Sequence, residues 1–464
     1  MRKILLILLI IFGFSLLKAQ DTLVLVSGIE LLGNKVTKDP IVFREITFRV
    51  GDTLGENIFQ QKLLNSQQNL MNTSLFNFVE VNDTIINKQN IKTVAVEFEF
   101  LERWYIWPLP IFELAERNLS VWLQDMDFSR VNYGLFLDWD NFRGRRERLK
   151  ILVQFGYDEK LGFRYNIPYI DKKQTIGIDF GFNRTNNHEV NYATENNEVQ
   201  RVKLDDEYVH KFYNAFFAVY NRPDIYQSHY FETSYNDHIY HDTVFKLNPD
   251  FFQGGSNRAQ YIKLSYKFMN DHRDFKPYPL KGYYFDILIE KLGLGIFSKN
   301  PINLYNAKIN ARRYWAFSKR FFFAGGVTAR VGNSGEQPYF LNNGVGYGRD
   351  FVRGYEYYVI DGQNYGLIKT DFKFAIVPQR ISVIKFIPTE KFNKIPWAVY
   401  LSLFNDFGYV NGSAEKGNTL QNTILWGYGA GINLVTYYDI VLRFEYSFNQ
   451  LGEGGFFVHF MASI

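Results

Sequence analysis

The chain has 464 residues, with 52 Lys and Arg, 48 Asp and Glu, and no cysteine. The lack of cysteine excludes disulfide frameworks, thiolate zinc sites, cysteine nucleophiles and lipid-anchored mature N-termini. The formal net charge of +4 is too small to indicate nucleic acid as a partner. Aromatic residues make up 18% of the chain, and large aromatics that alternate with polar residues favour β-sheet over a helix bundle.

Residues 1–19 are predicted to be a secretory signal peptide. Arg2 and Lys3 precede an apolar run, and cleavage is expected between Ala19 and Gln20. The alternative is a membrane anchor, but the run is about fourteen residues long and a spanning helix needs roughly 20. Since no later apolar run is long enough, an exported chain of this kind can span a membrane only as a β-barrel.

Residues 21–103 are predicted to form a small α+β domain with the order β-α-α-β-β. Thr37 is expected to cap the first helix. The predicted elements are a strand over 23–32, helices over 39–47 and 56–71, and strands over 75–81 and 91–100.

This domain resembles a POTRA (polypeptide-transport-associated) domain. The motif residues that carry the resemblance are Gly33, Asn34, Gly51, Asp52, Phe76 and Glu97. The resemblance implies that extended client chains bind along an edge of the sheet. The two glycines also have a simpler explanation, since turns need residues that adopt positive φ. One copy fits before the next domain, whereas general assembly proteins of this type usually carry several.

Residues 104–464 are predicted to form a 16-stranded antiparallel transmembrane β-barrel. Segments of about ten residues alternate between apolar and polar positions, as in 440–447, where Arg443 and Glu445 separate Leu442, Phe444 and Tyr446. A soluble β-sandwich would alternate in the same way. The signal peptide and the constant segment length favour the barrel.

The predicted connections are long on the outside and short on the inside. Residues 185–207 and 332–364 are expected to form outer loops, and the connections near 270–281 and 378–395 are longer inner exceptions. The last strand is predicted over 455–464, with an outward apolar stripe that ends at Ile464.

The loop after the eleventh strand contains Val352, Arg353, Gly354 and Tyr355. This run resembles the Val-Arg-Gly-Phe/Tyr motif of the BamA-type superfamily of outer-membrane assembly and translocation barrels (the bacterial surface antigen type). The resemblance implies that the loop folds back into the lumen and that its arginine pairs with acidic residues of the wall. The loop could gate the barrel or only plug and stabilise it.

Two acidic partners are predicted from the strand faces. Asp371 shares a face of the twelfth strand with Lys369 and Lys373, and Asp406 lies in a run that resembles the family's aromatic-x-Asp-x-Gly motif on the thirteenth strand. Both carboxylates are expected to face the lumen and to receive a planar bidentate guanidinium from Arg353.

The sequence contains no constellation that predicts catalysis, a cofactor or a metal, so the chain is not expected to be an enzyme. His238 and His241, near His229 and Asp237, are weak candidates for metal ligands, because polar residues of this kind are ordinary at a strand's outer end.

The resemblance implies a protein of the bacterial outer membrane, with the POTRA domain in the periplasm, that inserts, assembles or translocates client polypeptides. Its expected partners are unfolded clients, outer-membrane lipid and periplasmic accessory proteins. Two alternatives remain open. One is a dedicated exporter of a single secreted or surface protein, and the other is a passive pore or receptor.

Overall fold

The computed structural model describes residues 22–87, 92–114, 131–252, 256–297, 302–333, 338–413, 416–462 and 464. The predicted signal peptide, with Ala19 and Gln20, lies outside the described residues. Within the described part of the chain, no helix is both long and apolar enough to cross a membrane.

The N-terminal domain is a four-stranded sheet covered by one long helix. Its elements are β1 (Leu23–Leu32), α1 (Asp39–Phe43), β2 (Thr53–Gly55), α2 (Glu56–Met71), β3 (Phe76–Asn87) and β4 (Lys92–Glu102). The strand order is β2-β1-β4-β3, with β1 and β4 parallel. Apolar residues at alternate positions of β4 form the core with Phe59 and Leu70 of α2, as the period of two in β4 predicts. The sequence prediction omitted β2 and extended α1 to residue 47.

The prediction that Thr37 caps α1 is wrong. Helix α1 begins after Lys38 without a side-chain cap. The Thr37 hydroxyl instead lies 3.2 Å from the Tyr105 hydroxyl and accepts a hydrogen bond of 2.9 Å from Asn141 Nδ2. Both partners lie beyond the N-terminal domain, so this hydroxyl joins the domain to the barrel.

In the described residues after Tyr105, sixteen strands form one antiparallel sheet, which confirms the predicted fold class and number of strands. The sixteen strands are β5 (Ile106–Leu114), β6 (Val131–Phe142), β7 (Glu147–Gly156), β8 (Glu159–Ile167), β9 (Ile176–Asn187), β12 (His210–Asn221), β13 (Gln227–Tyr240), β14 (Arg258–Asp271), β15 (Gly282–Leu292), β16 (Leu304–Ala316), β17 (Phe321–Gly332), β18 (Asn364–Val383), β19 (Lys394–Asn411), β20 (Ile424–Val435), β21 (Val441–Asn449) and β22 (Gly454–His459).

The connections add a few small elements. A separate hairpin, β10 (Glu189–Glu195) and β11 (Glu198–Lys203), lies between β9 and β12. Helix α3 (Asp242–Leu247) follows β13, and helix α4 (Glu390–Asn393) precedes β19. Two 3-10 turns cover Pro249–Phe251 and Tyr339–Leu341.

The wall of the barrel is apolar outside and polar inside. In β19, Leu401 and Leu403 are exposed on the outer face. Ser402, which lies between them, and Asp406, further along the strand, are fully buried on the inner face. This alternation is the physical reason that the strands were recognisable from sequence, because successive side chains of a strand point to opposite faces.

Two predicted strand ends are wrong. Strands β18 and β19 continue past the barrel as a hairpin whose last pair is Val383 with Lys394, where a long connection was predicted. Strand β22 ends at His459 and not at residue 464. Instead of completing an outward stripe, Ile464 is buried inside the barrel against Tyr314 and Ala324.

The sheet has two edges. Among the described residues, β5 pairs only with β6 and β22 only with β21, so no backbone ladder joins the first and last strands of the barrel. The segment after β22 turns inward, and Arg443 Nε donates a hydrogen bond of 2.6 Å to its Met461 carbonyl.

Candidate functional site in the lumen and at the rim

The loop between β17 and β18 folds into the barrel. Val352 and Arg353 are fully buried, and Tyr355 is 2% exposed. Gly354 has φ +93°, and a Cβ atom there would lie 2.6 Å from the Phe448 carbonyl oxygen. Only glycine combines this backbone conformation with so close an approach to the wall.

Arg353 is clamped by Asp406. Its Nε and Nη2 atoms donate to the two carboxylate oxygens at 2.7 and 2.6 Å, which is the bidentate geometry predicted from sequence. Nη2 also donates to the Thr370 carbonyl at 3.1 Å, and the guanidinium carbon lies 3.9 Å from the centroid of the Phe404 ring. Charge-assisted, bidentate and desolvated contacts of this kind are among the strongest polar contacts in proteins.

Asp371 lies beside this pair but does not receive the guanidinium fork. Its nearest oxygen is 3.9 Å from Arg353 Nη1, which is an ion pair without a hydrogen bond. The Ser402 hydroxyl donates to Asp371, and Lys373 Nζ lies 4.0 Å from it. The expectation of two bidentate carboxylates is therefore wrong for Asp371.

The sequence reasoning did not assign two further residues of the cluster. Glu445 lies 3.6 Å from Arg353 Nη1, and Arg443 donates to Glu445 at 2.7 Å. Both belong to the inward face of β21. Charged residues on a predicted lumen face were the available signal, but the arginine that pairs with Glu445 lies 92 residues earlier in the chain.

We name the six residues that these ion pairs link into one cluster the lumen lock. They are Arg353, Lys373, Arg443, Asp371, Asp406 and Glu445. Three cations face three anions, so the formal charges of the six side chains balance, and the ion pairs offset part of the cost of burying them. The lock fixes the inward loop to three different strands of the wall.

A second segment enters the lumen from the opposite end. The turn of residues 272–281, between β14 and β15, places Tyr278 in the barrel with 2% exposure. Asn433 Nδ2 donates to the Tyr278 hydroxyl at 2.8 Å, and Lys373 Nζ lies 4.3 Å from the ring centroid. Lys373 therefore contacts both this turn and Asp371 of the lumen lock.

The N-terminal domain holds this turn. Asn72, which follows α2, donates through Nδ2 to the carbonyls of Arg273 and Asp274 at 3.2 and 3.1 Å. Its Oδ1 atom accepts from the Lys276 N–H at 2.9 Å. One amide side chain thus satisfies three backbone groups of the turn.

A buried carboxylate anchors the domain to the same rim. Glu45 is 2% exposed and receives Arg222 at 2.8 Å between Nη2 and Oε2, and Arg146 at 3.3 Å. Burial alone would raise the pKa of the Glu45 carboxyl, but the charges and hydrogen bonds of Arg222 and Arg146 outweigh it, so the pKa is lowered. Arg103 makes a further bidentate pair with Asp439, at 2.8 Å for each bond.

The arginines of the turn between β6 and β7 have defined partners. Arg143 donates to the buried Glu147 at 2.8 Å, Arg145 donates to the Tyr169 carbonyl at 3.2 Å, and Arg146 pairs with Glu45. These arginines therefore hold the rim and its contact with the domain.

Four of the predicted POTRA motif residues form turns. Gly33 and Gly51 have φ of +89° and +93°. Asn34 Nδ2 donates to the Thr37 carbonyl at 3.1 Å, and Asp52 accepts from the backbone three residues earlier at 3.0 Å. All four shape the connections around the sheet.

The other two motif residues lie in strands. Phe76 is buried, with its ring centroid 4.5 Å from that of Phe100. Glu97 is partly exposed in β4, 3.5 Å from Asn82. The roles of these six residues are in turns and packing, away from the lumen lock.

The histidine candidates do not come together. His238 bonds to His210, with 3.1 Å between Nδ1 and Nε2. Within the described ranges, no three residues among His, Asp and Glu are gathered in a way that could hold a metal ion.

Gly427 of β20 gives a direct test of how the loop is seated. A Cβ atom at Gly427 would overlap the Arg353 carbonyl oxygen, whereas a Cβ at Gly366 of β18 would meet nothing within 4 Å. Gly427→Ala is expected to displace the loop and cost about 1–3 kcal/mol, and Gly366→Ala should not. The melting temperature and the single-channel conductance of the two variants test this expectation. If both variants have the same melting temperature and conductance, the loop does not pack against Gly427 as described.

The chain is similar to known proteins in sequence and in fold. The Omp85 superfamily domain matches residues 141–451. CdiB from Escherichia coli is 11% identical, with 94% of this chain and 75% of that chain covered and a TM-score of 0.52. BamA from Haemophilus ducreyi lacking POTRA domains 1–3 is 16% identical, with 94% and 83% covered and a TM-score of 0.48.

No curated protein sequence matches the chain. The superfamily match covers more than half of it and includes strands β7 to β21, the inward loop and all six residues of the lumen lock. This protein belongs to the Omp85 superfamily.

Proposed function

We propose that this protein inserts, assembles or translocates client polypeptides, with the N-terminal domain acting as a POTRA domain that docks them. Members of the superfamily insert proteins into the outer membrane or translocate them across it. The chain resides in the bacterial outer membrane. We assign the rim that carries the N-terminal domain to the periplasm.

The observation that carries the proposal is that two segments occupy the lumen, one from each end. The lumen lock holds a loop inside the barrel, and the turn with Tyr278 enters from the other end. A passive pore needs a steady water-filled path, and a charge-balanced, desolvated lock opposes one. The arrangement is suited to a barrel that opens only with a client.

Two features of the strands support handling of an extended client. Strand β3 is an edge of its sheet, and unpaired edges accept an added strand through backbone hydrogen bonds. In the barrel, no backbone ladder joins β5 to β22 among the described residues, and Pro108 and Pro110 remove two backbone donors from β5. The protein is proposed to need no cofactor and to catalyse no reaction.

Depletion of the protein, followed by quantitative proteomics of the outer membrane and cell surface, tests the proposal. Broad loss of β-barrel proteins is expected for a general assembly protein. Loss of one or a few exported proteins, with the other barrels intact, would instead favour the dedicated exporter. If neither the outer-membrane proteome nor the cell-surface proteome changes, both the general assembly protein and the dedicated exporter are contradicted. The passive pore or receptor would then be the remaining hypothesis.

A further inference from the structure

The membrane-facing surface of the barrel carries a hollow of about 430 Å³. It spans four strands that pair in sequence, β12 to β15. One row of its lining crosses these strands side by side, with Phe217 opposite Thr233, Thr233 opposite Leu264, and Leu264 opposite Lys291. The hollow therefore ends at a lysine on β15.

The hollow exists because Thr233 is small among large neighbours. Phe217, its cross-strand partner, and Phe231, two positions along β13, are 47% and 54% exposed on the same outer face. The acidic residue of the lining, Glu232, belongs to the opposite face of β13, where its carboxylate lies 3.2 Å from Lys263 Nζ. The walls that face the membrane are thus apolar and concave, which suits an acyl chain.

Lys291 supplies a positive charge at the end of the hollow. Its Nζ atom lies 4.0 Å from the centroid of the Tyr305 ring and donates a hydrogen bond to Asn303 Oδ1. No carboxylate among the described residues forms an ion pair with it, whereas the outward Arg258 is held by Asp237 at 2.8 and 2.6 Å. An ammonium group has three donors, so Lys291 keeps donors for an anion.

The position of Lys291 along β15 decides which leaflet it faces. Strand β15 begins at Gly282, directly after the turn 272–281 that Asn72 of the N-terminal domain holds. Lys291 lies at the other end of this strand. With the N-terminal domain in the periplasm, that end is at the outer leaflet, where phosphorylated glycolipids are the characteristic lipids. A lysine facing lipid is favourable where its ammonium group reaches such a headgroup.

We infer that this surface binds one phosphorylated glycolipid of the outer leaflet, of the lipid A type. One acyl chain lies in the hollow beside Thr233, and a phosphate oxygen accepts a hydrogen bond from Lys291. The inference goes beyond the proposed function, because it concerns a lipid and not a client. Strands β12 to β15 are the sixth to ninth of the sixteen, so the bound lipid lies opposite the two sheet edges and leaves them free.

The test is native mass spectrometry of the purified full chain in detergent, titrated with diphosphoryl lipid A. A one-to-one complex is expected, and Lys291→Gln should weaken it about fivefold through loss of one cation near the phosphate. Arg313→Gln is the matched control. Arg313 is an outward cation at the other end of the same strand pair, with its guanidinium carbon 5.6 Å from the Tyr283 ring centroid. Its loss should leave the affinity unchanged.

A second pair of variants tests the hollow itself. Thr233→Trp fills the space beside Phe217 and Phe231 and should weaken binding of lipid A about tenfold or more, because the acyl chain loses its buried contact. Val327→Trp places the same side chain on the outer face of β17, where Val327 is 49% exposed and does not line the hollow. This control should bind lipid A as the unmodified protein does.

Three outcomes would overturn the inference. The first is the absence of a one-to-one complex with lipid A. The second is equal affinity within either pair of variants, since binding would then be independent of Lys291 or of the hollow. The third is binding of phosphatidylethanolamine as tightly as lipid A, because the surface would then hold any acyl chain and would not recognise a phosphorylated glycolipid. Equal melting temperatures of the four variants and the unmodified protein show that all are folded.

Discussion

Replacing Arg353 with alanine is expected to release the inward loop and raise the ionic conductance of the barrel. The guanidinium is fully buried and holds Asp406 through two hydrogen bonds, with Asp371 and Glu445 within 4 Å. Its removal leaves three carboxylates facing two remaining cations. Breaking one partner of a buried ion pair costs about 3–5 kcal/mol, because the other charge stays buried without compensation.

The measurement is single-channel conductance in planar bilayers, with thermal unfolding in detergent as the second readout. Arg353→Lys is the matched control, since it keeps the charge but cannot form the planar fork. We expect it to conduct less than Arg353→Ala and more than the unmodified protein. Large and steady conductance of the unmodified protein would contradict the closed lumen and favour the passive pore.

Replacing Glu45 with glutamine is expected to loosen the N-terminal domain from the rim. Glu45 is the common partner of Arg222 and Arg146, and the neutral amide leaves both guanidinium groups without their carboxylate. The expected loss is about 3–5 kcal/mol of docking free energy. Distances between spin labels on α2 and on the turn 222–226 should become longer and broader. Glu99→Gln, an exposed change in β4, is the control and should leave them unchanged.

The same carboxylate predicts a pH dependence. The pKa of Glu45 is lowered in the folded protein, from the ordinary value of about 4.3 for glutamate. A lowered pKa means that the contribution to docking is complete above about pH 4.3 and is lost as the pH falls through the folded pKa. Label distances should therefore stay constant from about pH 8 to 5 and lengthen in stronger acid. Glu45→Gln should abolish this transition, and an identical transition in that variant would contradict the assignment.

Local patterns were sufficient for most of the fold. The period of two gave all sixteen strands, and the apolar spacing of α2 gave its bounds at Glu56 and Met71. The same reasoning failed where a segment leaves the regular wall. Register shifts near Ala375 and Val377 carry β18 on into a hairpin, and Ile464 turns inward from the wall.

The site was predictable in part. The strand faces placed Asp371 and Asp406 in the lumen, but only the register between β18 and β19 decides which of them the guanidinium reaches. Glu445 and the rim partners of Glu45 depend on contacts between distant parts of the chain. A single sequence contains no pattern that links Glu45 to Arg222, 177 residues away.

The contacts between the N-terminal domain and the rim also impose an order on folding. The domain core forms from contacts within residues 24–105 and from Tyr169, whereas Thr37, Glu45 and Arg103 reach partners 104, 177 and 336 residues further along. Loop-closure entropy makes such distant contacts slow to form. The domain is therefore expected to fold first. The rim turns of the barrel then dock on the folded domain in chain order, and the contact of Arg103 with Asp439 forms last.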